Sequence, residues 1–176
     1  MLSSATVALA VSMVLGQADT SDIARRELKE FGDAMVGRWM GEITLDTDVP
    51  GVGKKGDKFH GYCTIEWILD RTAIQWDWNL GSVTGRSITV WDARNKQIKE
   101  YGTDTSGEIF EKTVTKDGEK WISQFISTAA DGTKSGATDT TTIEDGGRTH
   151  VHVGTNRLRG SEKLPDSRDA WKRVSK

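Results

Sequence analysis

The sequence predicts an all-β fold: a single antiparallel up-and-down barrel of about nine or ten strands, with one capping helix before it. Short runs of alternating apolar and polar residues fill the chain from Trp39 onward. Gly, Asp and Asn residues follow these runs, as expected for tight turns between antiparallel strands. A single amphipathic segment precedes the runs, and no second helical pattern follows it. A barrel of this size either fills its interior with side chains or holds one small ligand.

Residues 1–18 have the pattern of a secretory signal peptide. An apolar stretch begins at Ala5, ends at Leu15 and is followed by Gly16-Gln17-Ala18, so we expect cleavage after Ala18. The stretch is too short to span a bilayer. Because no Lys or Arg lies near Met1, an uncleaved membrane anchor is the alternative. We therefore expect a periplasmic or secreted bacterial protein, with no stable membrane insertion after cleavage and one domain over 19–176.

Composition excludes several classes of function. The chain has 24 Lys and Arg against 26 Asp and Glu, a net charge of −2, whereas a nucleic-acid-binding protein would show a clustered basic face. Cys63 is the only cysteine, so no intrachain disulfide forms. No nucleophile-elbow, phosphate-loop or dinucleotide motif occurs. The carboxylates are scattered and indicate no acid–base pair: Glu66, Asp77, Glu100 and Glu108. The sequence predicts no cofactor and leaves an enzymatic role undecided.

The helix is predicted over about 20–36. Thr20 or Ser21 can cap it, and Asp22 lies in the first turn, where the helix dipole favours an anion. Gly37 follows at a position where helices commonly end. One apolar stripe runs along it: Ala24, Leu28, Phe31 and Met35. A helix with this narrow stripe, leading straight into a strand, is suited to closing one end of a barrel.

The clearest strand alternation lies on either side of a predicted turn at Asp70-Arg71. Before the turn, every second residue from Phe59 to Leu69 shares one face. After it, apolar residues alternate with polar ones: Ile74, Trp76, Trp78 and Leu80 with Gln75, Asp77 and Asn79. Further strands are predicted at 86–91, 97–103, 108–115, 120–128, 136–143, 148–156 and 170–174.

Seven tryptophans are many for this length. Trp67, Trp76 and Trp78 lie on the apolar faces of adjacent predicted strands. Buried aromatic residues usually serve packing, but the same pattern is typical of a cavity lined by aromatic rings. We take these three tryptophans, with Arg157, as the candidate ligand-binding residues.

A family resemblance rests on several segments. Gly37-Arg38-Trp39 after a short helix is similar to the Gly-x-Trp start of lipocalins and other calycins. The chain from about Gly37 onward resembles a lipocalin-like bacterial family of unknown function, also found fused behind SnoaL-like domains. The segments that carry the likeness are Glu66–Asp70, Trp91–Ile98, Asp117–Trp121, Asp131–Lys134, Asn156-Arg157 and Leu164–Asp166. The resemblance implies a barrel and, in many members, export; it implies no established reaction. In true lipocalins the tryptophan packs under a basic residue of the last strand, for which Arg157 and Arg173 are both candidates.

His150 and His152 lie two residues apart and share one face, about 6–7 Å from each other along a strand. They could share a zinc or copper ion with His60 as a third ligand, or one could hold a haem, as in the similar nitrobindin-type barrels. Alternatively both lie on a solvated face while Val151 and Val153 point inward. No Cys or carboxylate joins the pair at ligand spacing, so we predict no metal ligands.

Two functions follow as hypotheses. The first is an exported module that binds a small apolar or amphipathic ligand. The alternative is an enzyme that acts on a small molecule inside the barrel, with a metal or haem at His150 or His152. The segment from Asp46 to Lys58 is rich in Gly, Pro and Lys and shows no apolar alternation. It is predicted to overhang the open end, either as a lid or as a surface hairpin without a role.

Overall fold

The computed structural model describes residues 20–49 and 52–175, and the predicted signal peptide lies outside them. The described chain forms a helix, α1 (Thr20–Met35), followed by a closed antiparallel barrel. The strands are β1 (Gly37–Thr44), β2 (Lys58–Ile68), β3 (Ala73–Leu80), β4 (Val83–Asp92), β5 (Gln97–Asp104), β6 (Ile109–Asp117), β7 (Lys120–Thr128), β8 (Lys134–Glu144), β9 (Thr149–Arg159), β10 (Glu162–Lys163) and β11 (Ser167–Ser175).

The barrel has ten strands. From β1 to β9 each strand pairs with the next, and β11 lies between β9 and β1 and closes the ring. The two-residue strand β10 pairs only with the end of β9. The predicted up-and-down barrel with one capping helix is therefore confirmed. Within the described ranges, no helix is both long enough and apolar enough to cross a membrane.

The helix closes one end of the barrel through its apolar stripe. Leu28, Phe31 and Met35 are buried in the main core. The Phe31 ring packs edge-on against Trp121, with 5.0 Å between ring centroids. Gly32 lets the helix approach the barrel, because a Cβ at this position would lie 2.1 Å from the Trp67 ring. The apolar core is therefore concentrated at the helix end.

One predicted turn is longer in the structure. Leu69, Asp70 and Arg71 all have positive φ angles, and the amide of Thr72 donates to the carbonyl of Leu69. The connection between β2 and β3 is thus a four-residue turn.

A β-bulge decides which side chains of β9 face inward. Between Gly136 and Thr138 of β8 the register with β9 shifts by one residue, and Asn156 on β9 has a φ of 52°. An extra residue reverses the alternation that follows it. Before the bulge the even-numbered residues of β9 face the interior; after it Arg157 and Arg159 do.

Candidate functional site

The barrel encloses a cavity of about 310 Å³, which we call the inner cavity. Its wall is dominated by six aromatic side chains: Trp39, Trp76, Trp78, Phe110, Phe125 and Trp171. Cys63, Ile65 and Leu80 complete the apolar part of the wall. Cavities of this size that are lined mainly by apolar and aromatic side chains, with a smaller set of polar groups, are typical of small-molecule sites. The barrel interior is therefore open rather than filled.

A second cavity of about 530 Å³ lies at the end of the barrel opposite the helix. It shares Trp78, Leu80, Asp104 and Glu108 with the first, so the two adjoin. Val49 and Val52 of the β1–β2 loop contribute to its wall. The predicted position of this loop over the open end is confirmed, and its action as a lid stays a prediction.

Glycines make room for the aromatic wall. At Gly85 a Cβ would lie 2.0 Å from the ring of Trp78, and at Gly102 one would lie 2.4 Å from the ring of Phe110. The rings therefore lie directly against the backbone of the neighbouring strands. Hydrogen bonds fix two of the indoles, since the Trp76 Nε1 donates to Thr89 Oγ1 at 2.9 Å and the Trp39 Nε1 donates to the carbonyl of Met35 at 2.7 Å.

The three tryptophans predicted to bind ligand do not all lie in the same part of the barrel. Trp76 and Trp78 both line the inner cavity. Trp67 lies on the same face but at the helix end, under Gly32, with the Arg71 guanidinium 4.8 Å from its ring centroid. It is not among the residues that line either cavity.

Arg157 points inward near the open end. Its Nη1 forms an ion pair with Asp46 and donates to the carbonyl of Pro165 at 2.7 Å. Arg173, rather than Arg157, packs on Trp39. The sequence did not decide which of these two arginines packs on Trp39, and in the structure it is Arg173.

His150 and His152 face the interior and line the cavity. The alternative that places them on a solvated face, with Val151 and Val153 inward, is therefore wrong. His150 is only 2% exposed and stacks on Trp39, with 3.6 Å between ring centroids. A barrel interior that contains polar groups accepts such side chains when each finds a partner.

Both histidine rings are held by hydrogen bonds. The Nε2 of His150 lies 3.2 Å from the carbonyl of Ala34 and donates to it. The Nδ1 of His152 lies 2.9 Å from Thr141 Oγ1. Burial lowers the pKa of His150 to about 4 and that of His152 to about 3, so both rings are neutral at pH 7.

Their geometry does not support the metal alternative. The two rings are nearly perpendicular, at 82°, with centroids 5.9 Å apart. His60 lies on the outer, exposed face of β2. Within the part of the chain that the structure describes, no three His, Cys, Asp or Glu side chains are grouped to hold a metal ion.

Charged groups missed by the sequence reasoning occupy the middle of the barrel. Glu100 is 4% exposed; its Oε1 accepts from Ser87 Oγ at 2.7 Å and lies 3.5 Å from Lys112 Nζ. Asp139 and Asp169 also point inward, and burial raises the pKa of each carboxyl. The alternation Ile98, Glu100, Gly102 on β5 was the available signal for an inward Glu100.

Cys63 lies in the cavity wall between β1 and β3. Burial, with a smaller effect of Glu100, raises its pKa to about 12. Its thiol is therefore protonated and weakly reactive at neutral pH.

Comparisons with known proteins add no identification. No protein-family model matches the chain, and no curated protein is significantly similar to it. The site is thus characterised by its geometry alone: an aromatic cavity with buried charges, open toward one end of a barrel.

Proposed function

We propose that this protein is an exported, lipocalin-like module that binds a small apolar or amphipathic molecule inside the barrel. One observation carries the proposal: an aromatic cavity of about 310 Å³ adjoins a wider cavity at the open end. Burial of apolar ligand surface against these rings supplies the affinity, because it stabilises the complex by about 25 cal/mol per Å² of area removed from water. The polar groups in the wall orient the ligand.

The binding proposal is tested with a neutral apolar fluorophore, Nile red, and a variant that obstructs the passage. Leu80 lies where the two cavities adjoin, so Leu80→Trp should lower the affinity for Nile red. The control is Tyr62→Ala, because Tyr62 is 53% exposed on the outer face of the adjacent strand β2. Equal affinity of the wild type and a folded Leu80→Trp variant would contradict binding in the cavity. Native mass spectrometry of the purified protein tests for a co-purified ligand.

Export is the second part of the proposal and rests on the apolar stretch before Ala18. Expression of the full chain in a Gram-negative host, followed by fractionation and N-terminal sequencing, tests it. We expect the protein in the periplasmic fraction with Asp19 as its first residue. Retention of Met1 in the membrane fraction would support the uncleaved anchor instead.

A further inference from the structure

The charged side chains that line the inner cavity are unequal in number. Three carboxylates, Glu100, Asp104 and Glu108, face a single ammonium group, that of Lys112. The histidines add no positive charge at pH 7, because burial lowers the pKa of both rings. The cavity is therefore acidic although the whole chain is nearly neutral.

Glu100 is the most buried of these carboxylates, and one of its oxygens has no partner. Its Oε1 takes the hydrogen bond from Ser87 and the contact with Lys112. Among the described residues, no side chain donates a hydrogen bond to Oε2, and the residue as a whole is only 4% exposed. Oε2 is not among the fully buried side-chain atoms that lack a partner, so it reaches the cavity space rather than being sealed in the wall. A donor brought by a ligand can therefore bind it there.

The contact between Lys112 and Glu100 is a long one. Its Nζ lies 3.5 Å from Oε1, which is long for a charge-assisted hydrogen bond, normally about 2.7–2.9 Å. The same ammonium lies 5.4 Å from the ring centroid of Phe110. One amine is thus already held between a carboxylate and an aromatic face in this cavity, and the indole rings of Trp76 and Trp78 offer further faces of the same kind.

We propose that the ligand of this cavity is a small amphipathic cation, an ammonium group on an apolar body, with Glu100 as its anionic anchor. The inference rests on the proposed binding function and names its ligand class. The apolar body contacts the tryptophan rings, and the ammonium group donates to Glu100 Oε2. A carboxylate ligand held by Lys112 is the opposite case, and the excess of carboxylates in the wall disfavours it.

The test compares three probes of nearly equal size: 1-naphthylmethylamine, 1-naphthylmethanol and 1-naphthoate, by isothermal titration calorimetry at pH 7. We expect the amine to bind about tenfold or more tightly than the alcohol, and the anion to bind most weakly. If the alcohol binds as tightly as the amine, or the naphthoate binds best, the cation proposal is overturned while the binding function stands. If none of the three binds, both are overturned.

Two variants locate the effect. Glu100→Gln should lower the affinity for the amine by about tenfold and leave that for the alcohol unchanged. The reason is that the lost negative charge weakens the hydrogen bond from an ammonium group but not that from a neutral hydroxyl group. Glu66→Gln is the control, since it removes one negative charge from the exposed outer face of β2. If Glu100→Gln does not fold, Glu108→Gln at the junction of the cavities replaces it. An amine-to-alcohol affinity ratio that stays unchanged in the folded variant would overturn the role of the carboxylates.

Discussion

Arg173 of β11 lies over the ring of Trp39 of β1, with its guanidinium carbon 4.2 Å from the ring centroid. The same side chain donates to the backbone carbonyls of Val36, Ala34 and Gly147. His150 stacks on the same indole, with 3.6 Å between ring centroids, and its Nε2 bonds to the carbonyl of Ala34 that Arg173 also bonds. Trp39 is therefore packed against both an arginine and a neutral histidine at the seam where the barrel closes.

We predict that Trp39→Ala lowers the free energy of unfolding by about 3–5 kcal/mol, through lost burial and the cavity that it leaves. Trp39 is 2% exposed, and its Nε1 hydrogen bond to the helix end is lost as well. Urea denaturation measures the change. Tyr62→Ala on the outer face should cost far less. An unchanged melting temperature in Trp39→Ala would contradict the structural role.

The stability of the barrel should depend on His150 in acid. The pKa of His150 is lowered to about 4 in the folded state and is about 6.5 in the unfolded chain, so the unfolded chain takes up the proton first as pH falls. Stability should fall from about pH 6.5 to pH 4, by about 3 kcal/mol for this group. Urea titrations at several pH values measure it. His150→Phe should make the profile less steep in this window and leave the loss that His152 causes, because the pKa of His152 is lowered as well. An unchanged profile would refute the assignment.

Asp139 should destabilise the folded protein at neutral pH. Burial raises the pKa of this carboxyl, so the folded state loses stability as pH rises above the ordinary pKa of Asp. Asp139→Asn should therefore raise the melting temperature at pH 7 and give no gain below about pH 3.8. Asp131→Asn serves as the control of opposite sign, because hydrogen bonds from Thr133 lower the pKa of Asp131. A loss of stability in Asp139→Asn at pH 7 would show that its charge is needed.

Cys63 should react slowly while the barrel is folded. With its pKa raised from 9.0 to about 12, the thiolate fraction at pH 8 falls by roughly a thousandfold. Labelling with iodoacetamide, followed by mass spectrometry, should be fast in 6 M guanidinium chloride and negligible in buffer. Equal rates under the two conditions would mean that the thiol is open to solvent.

Deletion of Val52 to Lys55 should leave the fold intact and change ligand entry. The base of the loop is held by backbone hydrogen bonds between Leu45 and Asp57 and between Gly56 and Leu45, which lie outside the deletion. Val52 lines the second cavity at the open end, so its removal should raise the on-rate of Nile red in stopped-flow fluorescence. Lys54→Ala, which leaves the loop at full length, is the control. If the deletion alters neither affinity nor on-rate, the loop is not a lid.

Alternation predicted the strands well because half of each strand faces a buried interior. It gives the face of a residue but not its height along the barrel, and so Trp67 shares a face with Cys63 yet lies under the helix rather than in the cavity wall. The bulge near Asn156 explains why the direction of Arg157 could not be predicted. It turns Arg157 inward toward Asp46, and no local sequence pattern predicts the extra residue.

The inward orientation of His150 and His152 could not be predicted for another reason. Apolar residues normally mark the buried face of a strand, and that rule favoured Val151 over His150. It fails where the interior holds a hydrogen-bonded polar network, because Thr141 and the carbonyl of Ala34 satisfy the two imidazoles. Such partners lie far away in sequence and become visible only when the barrel closes.

The pairing of β1 with β11 also sets the order in which this barrel can assemble. Most other strand pairs join neighbours in the chain, whereas Trp39 and Arg173 are 134 residues apart (173 minus 39). Contacts this distant form slowly, because a long loop must close before they stabilise anything. Until β11 docks, the meander is an open sheet with unpaired backbone groups on β1, which can pair with another chain. The time before closure is therefore when the folding chain is most prone to aggregate.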